Sequence, residues 1–239
     1  MTGAAPVTLF GHWICPFSVR VEFALAQRGI AYEVIDVPPS AVRPKGFVVP
    51  DEFVAHSPKL EIPMVRIEGE YLADSMPILW WLEERFTSHS LVAAGAGAAV
   101  RERMEWIDRH LYRPMIGVYY GTEPDAIAAA SERFGDAMVE LARWLDGDDW
   151  LSGDGPSLCE ALMVAVYVRM DGLRTLGLTA AVPAVVAAHH ERCSTLPGWA
   201  AAAWSTEQTD EFVWRFSEYR RRRGLATPVS EFREISRQD

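Results

Sequence analysis

The sequence predicts an α+β domain followed by an all-α domain. Three observations carry that expectation. Residues 7–86 mix strand-like and helix-like segments, whereas residues 98–223 show helical spacing with no convincing strand. The stretch between them, residues 87–99, is rich in Ser, Gly and Ala, as a linker is. The expected domains are residues 1–87 and 98–239.

Residues 7–10 (VTLF) are a short apolar run that reads as a strand. Residues 17–28 carry Val21, Phe23, Ala24, Leu25 and Arg28 at helical spacing, and Gly29 stops the helix. Residues 32–37 (YEVIDV) alternate like a strand. Pro38, Pro39, Pro44 and Pro50 mark a loop, with a short helix expected near residues 51–55. Residues 62–67 (IPMVRI) read as a strand, and Glu68-Gly69-Glu70 as a turn before Tyr71-Leu72. Ser75 stands at an N-cap position ahead of a helix over residues 78–86. In the second half, helices are expected over residues 100–120, 125–145, 157–176 and 183–196. Ser157 and Glu160 form an S-x-x-E capping box at the start of the third. The tail after Gly224 is polar and reads as loosely held.

Composition excludes several classes. The chain has 239 residues, 49% hydrophobic and 23% charged, which rules out wholesale disorder. No apolar run approaches the ~18 residues of a membrane helix, so no membrane partner is expected. The net charge of −10 argues against nonspecific nucleic-acid binding. The basic run at residues 220–223 reads as an exposed helix end, favourable at the negative pole of the dipole. The first residues show no basic start followed by an apolar stretch, and the three cysteines are odd in number and widely spaced. A reducing, cytoplasmic setting is expected. No metal site is expected.

The informative segment is GHWICPFSVRVEFAL, residues 11–25. Proline suits the first helical position, where its missing N–H would have had no partner. Cys15 therefore sits at the mouth of a helix, where free N–H groups and the positive dipole end favour a thiolate. Thiolate is the nucleophile of disulfide exchange. Ser18 stands where a second cysteine of a C-x-x-C pair would be, so a single-cysteine cycle needs an external thiol. Cys159 and Cys193 lie on helices and read as small buried hydrophobes.

The run W-x-C-P-F-S-x-R-V resembles the start of omega-class and dehydroascorbate reductase-type members of the glutathione transferase superfamily. It is also similar to the tau class and more distantly to the zeta class. The resemblance extends through SPKLEIPMV and LADSMPILWWLEERF. It implies a thioredoxin-like first domain and a helical second domain, glutathione as co-substrate, and a homodimer. It also implies Cys15 as the catalytic residue. Phe17, His56, Ile62, Pro63, Asp74 and Ser75 are the implied glutathione-binding set. Ile62-Pro63 would be a cis-proline turn pairing with the tripeptide main chain, and Ser75 would hold the γ-glutamyl carboxylate. Tau- and omega-type members carry lysines where this chain has Glu61 and His56, so Arg66 or Arg43, or another low-molecular-weight thiol, enters the reading.

The family's acceptor pocket lies between the domains. Trp13, Tyr112, Met115, Tyr119 and Tyr120 are the candidates to line it, with Phe17 and with Trp214 or Phe216. Arg109 and Arg113, four apart, are candidates to meet an anionic small-molecule substrate. The leading expectation is a thiol transferase or reductase acting on an aromatic or apolar electrophile or a mixed disulfide. A glutathione-assisted cis–trans isomerase and a non-catalytic interaction module are the alternatives.

Overall fold

The computed structural model describes residues 7–225. The readings of the first six residues and of the polar tail from residue 226 lie outside the described residues. The first half is built from β1 (Val7–Gly11), α1 (Pro16–Gln27), β2 (Tyr32–Asp36), α2 (Asp51–His56), β3 (Met64–Ile67), β4 (Glu70–Ala73) and α3 (Ser75–Arg85). The sheet order is β2-β1-β3-β4; β1 runs parallel to β2 and antiparallel to β3, and β3 antiparallel to β4. Every residue of β1 is buried, so this central strand is mostly apolar, Thr8 apart, and its burial does not alternate.

The second half contains α4 (Gly97–Ile107), a π-helical segment Asp108–Tyr112, α5 (Arg113–Tyr120), α6 (Pro124–Trp144), α7 (Leu158–Tyr167), α8 (Met170–Thr175), α9 (Ala184–Ser194), α10 (Trp199–Ala202) and α11 (Thr206–Arg221). Two helices expected as single pieces are broken. Over residues 100–120 the ladder widens into the π segment just before Pro114, which has no N–H to give and whose ring crowds the carbonyl one turn back. Over residues 157–176 the backbone tightens where the Arg169 N–H donates to the Val166 carbonyl, three residues back.

The halves pack through α1 against α7 and α10. A side chain at Gly198 would press a Cβ to 2.8 Å from the Phe23 carbonyl of α1, so only glycine allows this approach. Gln27 then accepts the Gly198 N–H at 2.9 Å. Helix α7 is buried throughout, and the Ser157–Glu160 capping box starts it.

The basic run corrects its sequence reading. Arg221, Arg222 and Arg223 are exposed, but Arg220 is buried and donates to the carbonyls of Leu176 (2.8 Å) and Val118. The last turn of α11 therefore has one inward face, and the four arginines do not form one surface patch.

Candidate functional site

After β1 the chain turns sharply. The Cys15 N–H donates to the His12 carbonyl (3.0 Å) and the Ile14 N–H donates to Nδ1 of His12 (3.1 Å). Pro16 opens α1, and Cys15 is its N-cap, with extended backbone and no side-chain capping bond. The thiol points toward the carbonyl of Ile62, 3.9 Å away. It opens into a cavity of about 310 Å³ walled by Ile14, Phe17, Arg43, Leu60, Glu61, Ile62, Ile116, Tyr119, Tyr120 and Phe216, among others. Burial pushes the Tyr119 hydroxyl well above its ordinary range and that of Tyr120 up to about 12, with Cys15 a further cause for both. At neutral pH both remain O–H donors.

A second cavity of about 490 Å³ adjoins the first, sharing Phe17, Glu61 and Ile62. Its walls include Arg20, Lys59, Pro63, Asp74, Ser75, Met76 and Asp108. The Ile62-Pro63 peptide is cis, and the Asp74 N–H donates to the Pro63 carbonyl (3.2 Å). Asp74 has φ +77 and ψ 127, a strained conformation for a residue with a Cβ. It is the N-cap of α3, accepting the Met76 N–H at 3.4 Å, so the cap falls one residue before the expected Ser75. Ser75 is engaged elsewhere. Its Oγ accepts from Nε (2.9 Å) and Nη2 (2.5 Å) of Arg20, whose Nη1 bonds Asp108 at 2.8 Å. A hydroxyl has two acceptor sites and one hydrogen. With both acceptor sites filled by one guanidinium, the Ser75 hydrogen is left to donate.

Of the sequence candidates, the structure gathers Phe17, Ile62, Pro63, Asp74 and Ser75 around the larger cavity and Cys15, Phe17, Arg43, Ile62, Tyr119, Tyr120 and Phe216 around the smaller. It does not bring the others to either wall. His56 is exposed and stacks on Tyr71, ring centres 3.7 Å apart. Trp13 packs edge-on against Trp204 at 5.2 Å. Tyr112 is buried with its hydroxyl donating to the Leu162 carbonyl (2.8 Å), and Met115 is wholly buried. Trp214 lies at the surface, 40% exposed. Arg66 is paired with Glu52 at 2.6 Å, while Arg109 and Arg113 are exposed. The π segment explains part of this: an added residue per turn shifts the faces that helical spacing projects onto residues 109–115. Ile116 faces the cavity where Met115 was expected.

The sequence reading missed Arg20, Asp108 and Lys59. The signal for Arg20 was present: an arginine between Val19 and Val21 on an otherwise apolar stretch of helix. It is 1% exposed, with its guanidinium 4.9 Å from the Phe17 ring centre and 5.0 Å from that of Tyr112.

This arrangement has known counterparts. Residues 14–85 match the model of the glutathione S-transferase N-terminal domain. The chain is 26% identical over 173 residues to glutathione S-transferase U7 of Arabidopsis thaliana, covering 71% of each chain. It is 26% identical over 180 residues to maleylacetoacetate isomerase of Pseudomonas aeruginosa, covering 65% of this chain and 77% of that one. Among solved structures it superposes on rice GST1, determined in complex with glutathione, with a TM-score of 0.76 and 20% identity over 90% of this chain and 99% of that one. The fold is that of the glutathione transferases: a thioredoxin-like sheet domain followed by a helical region. Residues 14–85 are thus similar to a glutathione S-transferase N-terminal domain, and the chain as a whole shares the glutathione transferase fold.

Proposed function

We propose that the protein is a glutathione-dependent thiol transferase with Cys15 as its nucleophile. The observation that carries this reading is the junction of the two cavities at Ile62, one charged and one largely apolar, with the thiol opening into the apolar one beside it. Glutathione occupies the larger cavity. Ser75 donates its O–H to the γ-glutamyl carboxylate with Arg20 behind it, and Asp74 meets the α-ammonium. The Ile62 main chain pairs with the tripeptide beside Pro63, and Phe17 forms the wall between the cavities. Lys59 takes the place expected of His56, opposite the glycine carboxylate. The acceptor occupies the smaller cavity against Tyr119, Tyr120 and Phe216.

The reaction runs in two displacements. The Cys15 thiolate attacks the glutathione sulfur of a mixed disulfide; that S–S bond breaks, and the leaving thiolate takes up a proton. A glutathione thiolate then attacks the Cys15–glutathione disulfide, regenerating the Cys15 thiolate and releasing glutathione disulfide. In both steps the sulfur sits at the N-terminus of α1, which Pro16 opens. A cytoplasmic homodimer belongs to the same proposal.

Intact-mass analysis after incubation with glutathione disulfide, followed by peptide mapping, tests it. Cys159 and Cys193 are internal controls: both are wholly buried, and burial pushes the Cys159 thiol up to about 12. Rapid, reversible addition of glutathione to Cys15 alone is expected. No addition, or equal addition at all three cysteines, would sink the covalent role.

The similarity to maleylacetoacetate isomerase supports a second reading, thiol-assisted cis–trans isomerisation. There glutathione adds to a conjugated double bond, rotation follows and glutathione leaves unconsumed. Turnover of such a substrate without net thiol loss, surviving Cys15→Ala, would favour it.

A further inference from the structure

We propose that Arg169, reaching across from the helical half, is the positioning residue of the Cys15 loop. The inference rests on the proposed role of Cys15. Arg169 stands at the break between α7 and α8 and has no exposed surface. Its guanidinium donates to the Ile14 carbonyl (3.0 Å), the Trp13 carbonyl (3.5 Å) and, on its own helix, the Ala165 carbonyl. The Trp204 ring centre lies 4.7 Å from the guanidinium, and Trp204 meets Trp13 edge-on. On the other side of the loop, Nδ1 of His12 accepts the Ile14 N–H. Both polar groups of the Ile14 backbone are therefore held, one by each half of the molecule, in the residue before the thiol.

The choice of arginine for this task is informative. A buried cation ordinarily has a carboxylate partner, because desolvation is costly. Arg20 has Asp108 and Arg28 has Glu83. Among the described residues, no carboxylate lies within ion-pair distance of Arg169. Burial pulls its proton affinity down, and the groups that oppose this are Tyr119, Tyr112 and Cys15. A neutral amide could bond one or two of these carbonyls at lower desolvation cost. The planar fork spans successive carbonyls of the loop and its own helix at once.

The test compares Arg169→Gln and Arg169→Lys with the wild type. The alkylation rate of Cys15 by iodoacetamide is read by peptide mass, and kcat and KM for glutathione by thiol-transfer assay. Arg169→Gln is expected to slow Cys15 alkylation and lower kcat on the order of tenfold, as small misplacements of a reacting group do. KM for glutathione stays near the wild-type value, because the larger cavity contains no residue of the 12–14 loop. Arg169→Lys recovers part of the rate. Should Arg169→Gln fail to fold, Trp204→Leu removes the ring beside the guanidinium and is expected to slow Cys15 alkylation in the same direction. Wild-type alkylation and kcat in a folded Arg169→Gln, or in Trp204→Leu, would overturn the proposal and leave Arg169 a purely structural tie. If wild-type Cys15 reacts no faster than Cys159 and Cys193, the thiol-transferase reading itself fails, and this inference with it.

Discussion

Two helix N-termini in this molecule are finished in opposite ways. At α1 the cap is Cys15, whose side chain makes no capping bond, and the terminus faces a cavity. At α7 the cap is Ser157, whose Oγ accepts the Cys159 N–H (3.1 Å), and Glu160 takes up further donors around it. Glu160 Oε2 accepts from the Ser157 N–H (2.6 Å) and Oγ–H (2.7 Å), and Oε1 accepts from the Leu151 N–H (2.7 Å). Nε2 of His189 lies 3.2 Å from Oε1, and Nδ1 of His189 meets the Tyr167 hydroxyl at 2.7 Å. All of these groups are buried. The same feature, the positive end of a helix dipole, is closed off by a buried carboxylate at α7 and left facing a cavity at α1.

The comparison predicts that chemistry and stability separate between the two sites. The largest effect is on activity: Cys15→Ser is expected to abolish thiol transfer while moving the thermal midpoint little, since no capping bond is lost. Residual transfer near the wild-type rate would break the contrast. Glu160→Ala strands several buried donors at once and should cost about 3 kcal/mol or more of stability, read by urea unfolding. Cys15 alkylation in the folded fraction should not change; a large loss of reactivity would mean that the two termini are coupled. Ser157→Ala removes one member of the box and should cost about 1 kcal/mol.

The smallest expected effect concerns pH. Burial lowers the His12 pKa below its ordinary value, opposed by Asp36. The unfolded chain then binds a proton at a pH where the folded one does not, so stability rises with pH through that window. The contribution is full above the ordinary histidine range and is lost as pH falls toward the folded value. The thermal midpoint should drop on acidification below pH ~6.5, and His12→Asn should flatten that dependence. A midpoint equally pH-sensitive in the variant would exclude His12 as its source.

Much of this was legible from the residues alone. The strand read from YEVIDV, the helix after Pro16 and the S-x-x-E box are each kept by the fold, although the burial of that strand does not alternate. What escaped depends on neighbours far along the chain. Ser75 reads as a cap until Arg20, fifty-five positions earlier, occupies its oxygen. Tyr112 and Met115 read as pocket residues until the π segment before Pro114 turns that face inward. Trp13 sits two residues from Cys15, yet Trp204 and Arg169 engage it from the far half. An arginine reads as solvent-facing until its partners are in place, and Arg20, Arg169 and Arg220 are all buried.

Arg220 has a further bearing on the smaller cavity. That cavity has one wall from α5, through Tyr119 and Tyr120, and another from α11, through Phe216, about a hundred residues apart in sequence. Arg220 spans the seam, gripping the Val118 carbonyl next to Tyr119 while it stands one helical turn beyond Phe216. The bore of the pocket is thus gauged by a side chain that never touches its contents. Substitutions at the rear of α11 should therefore change the width of that cavity, as a strut sets the width of a doorway from outside the frame.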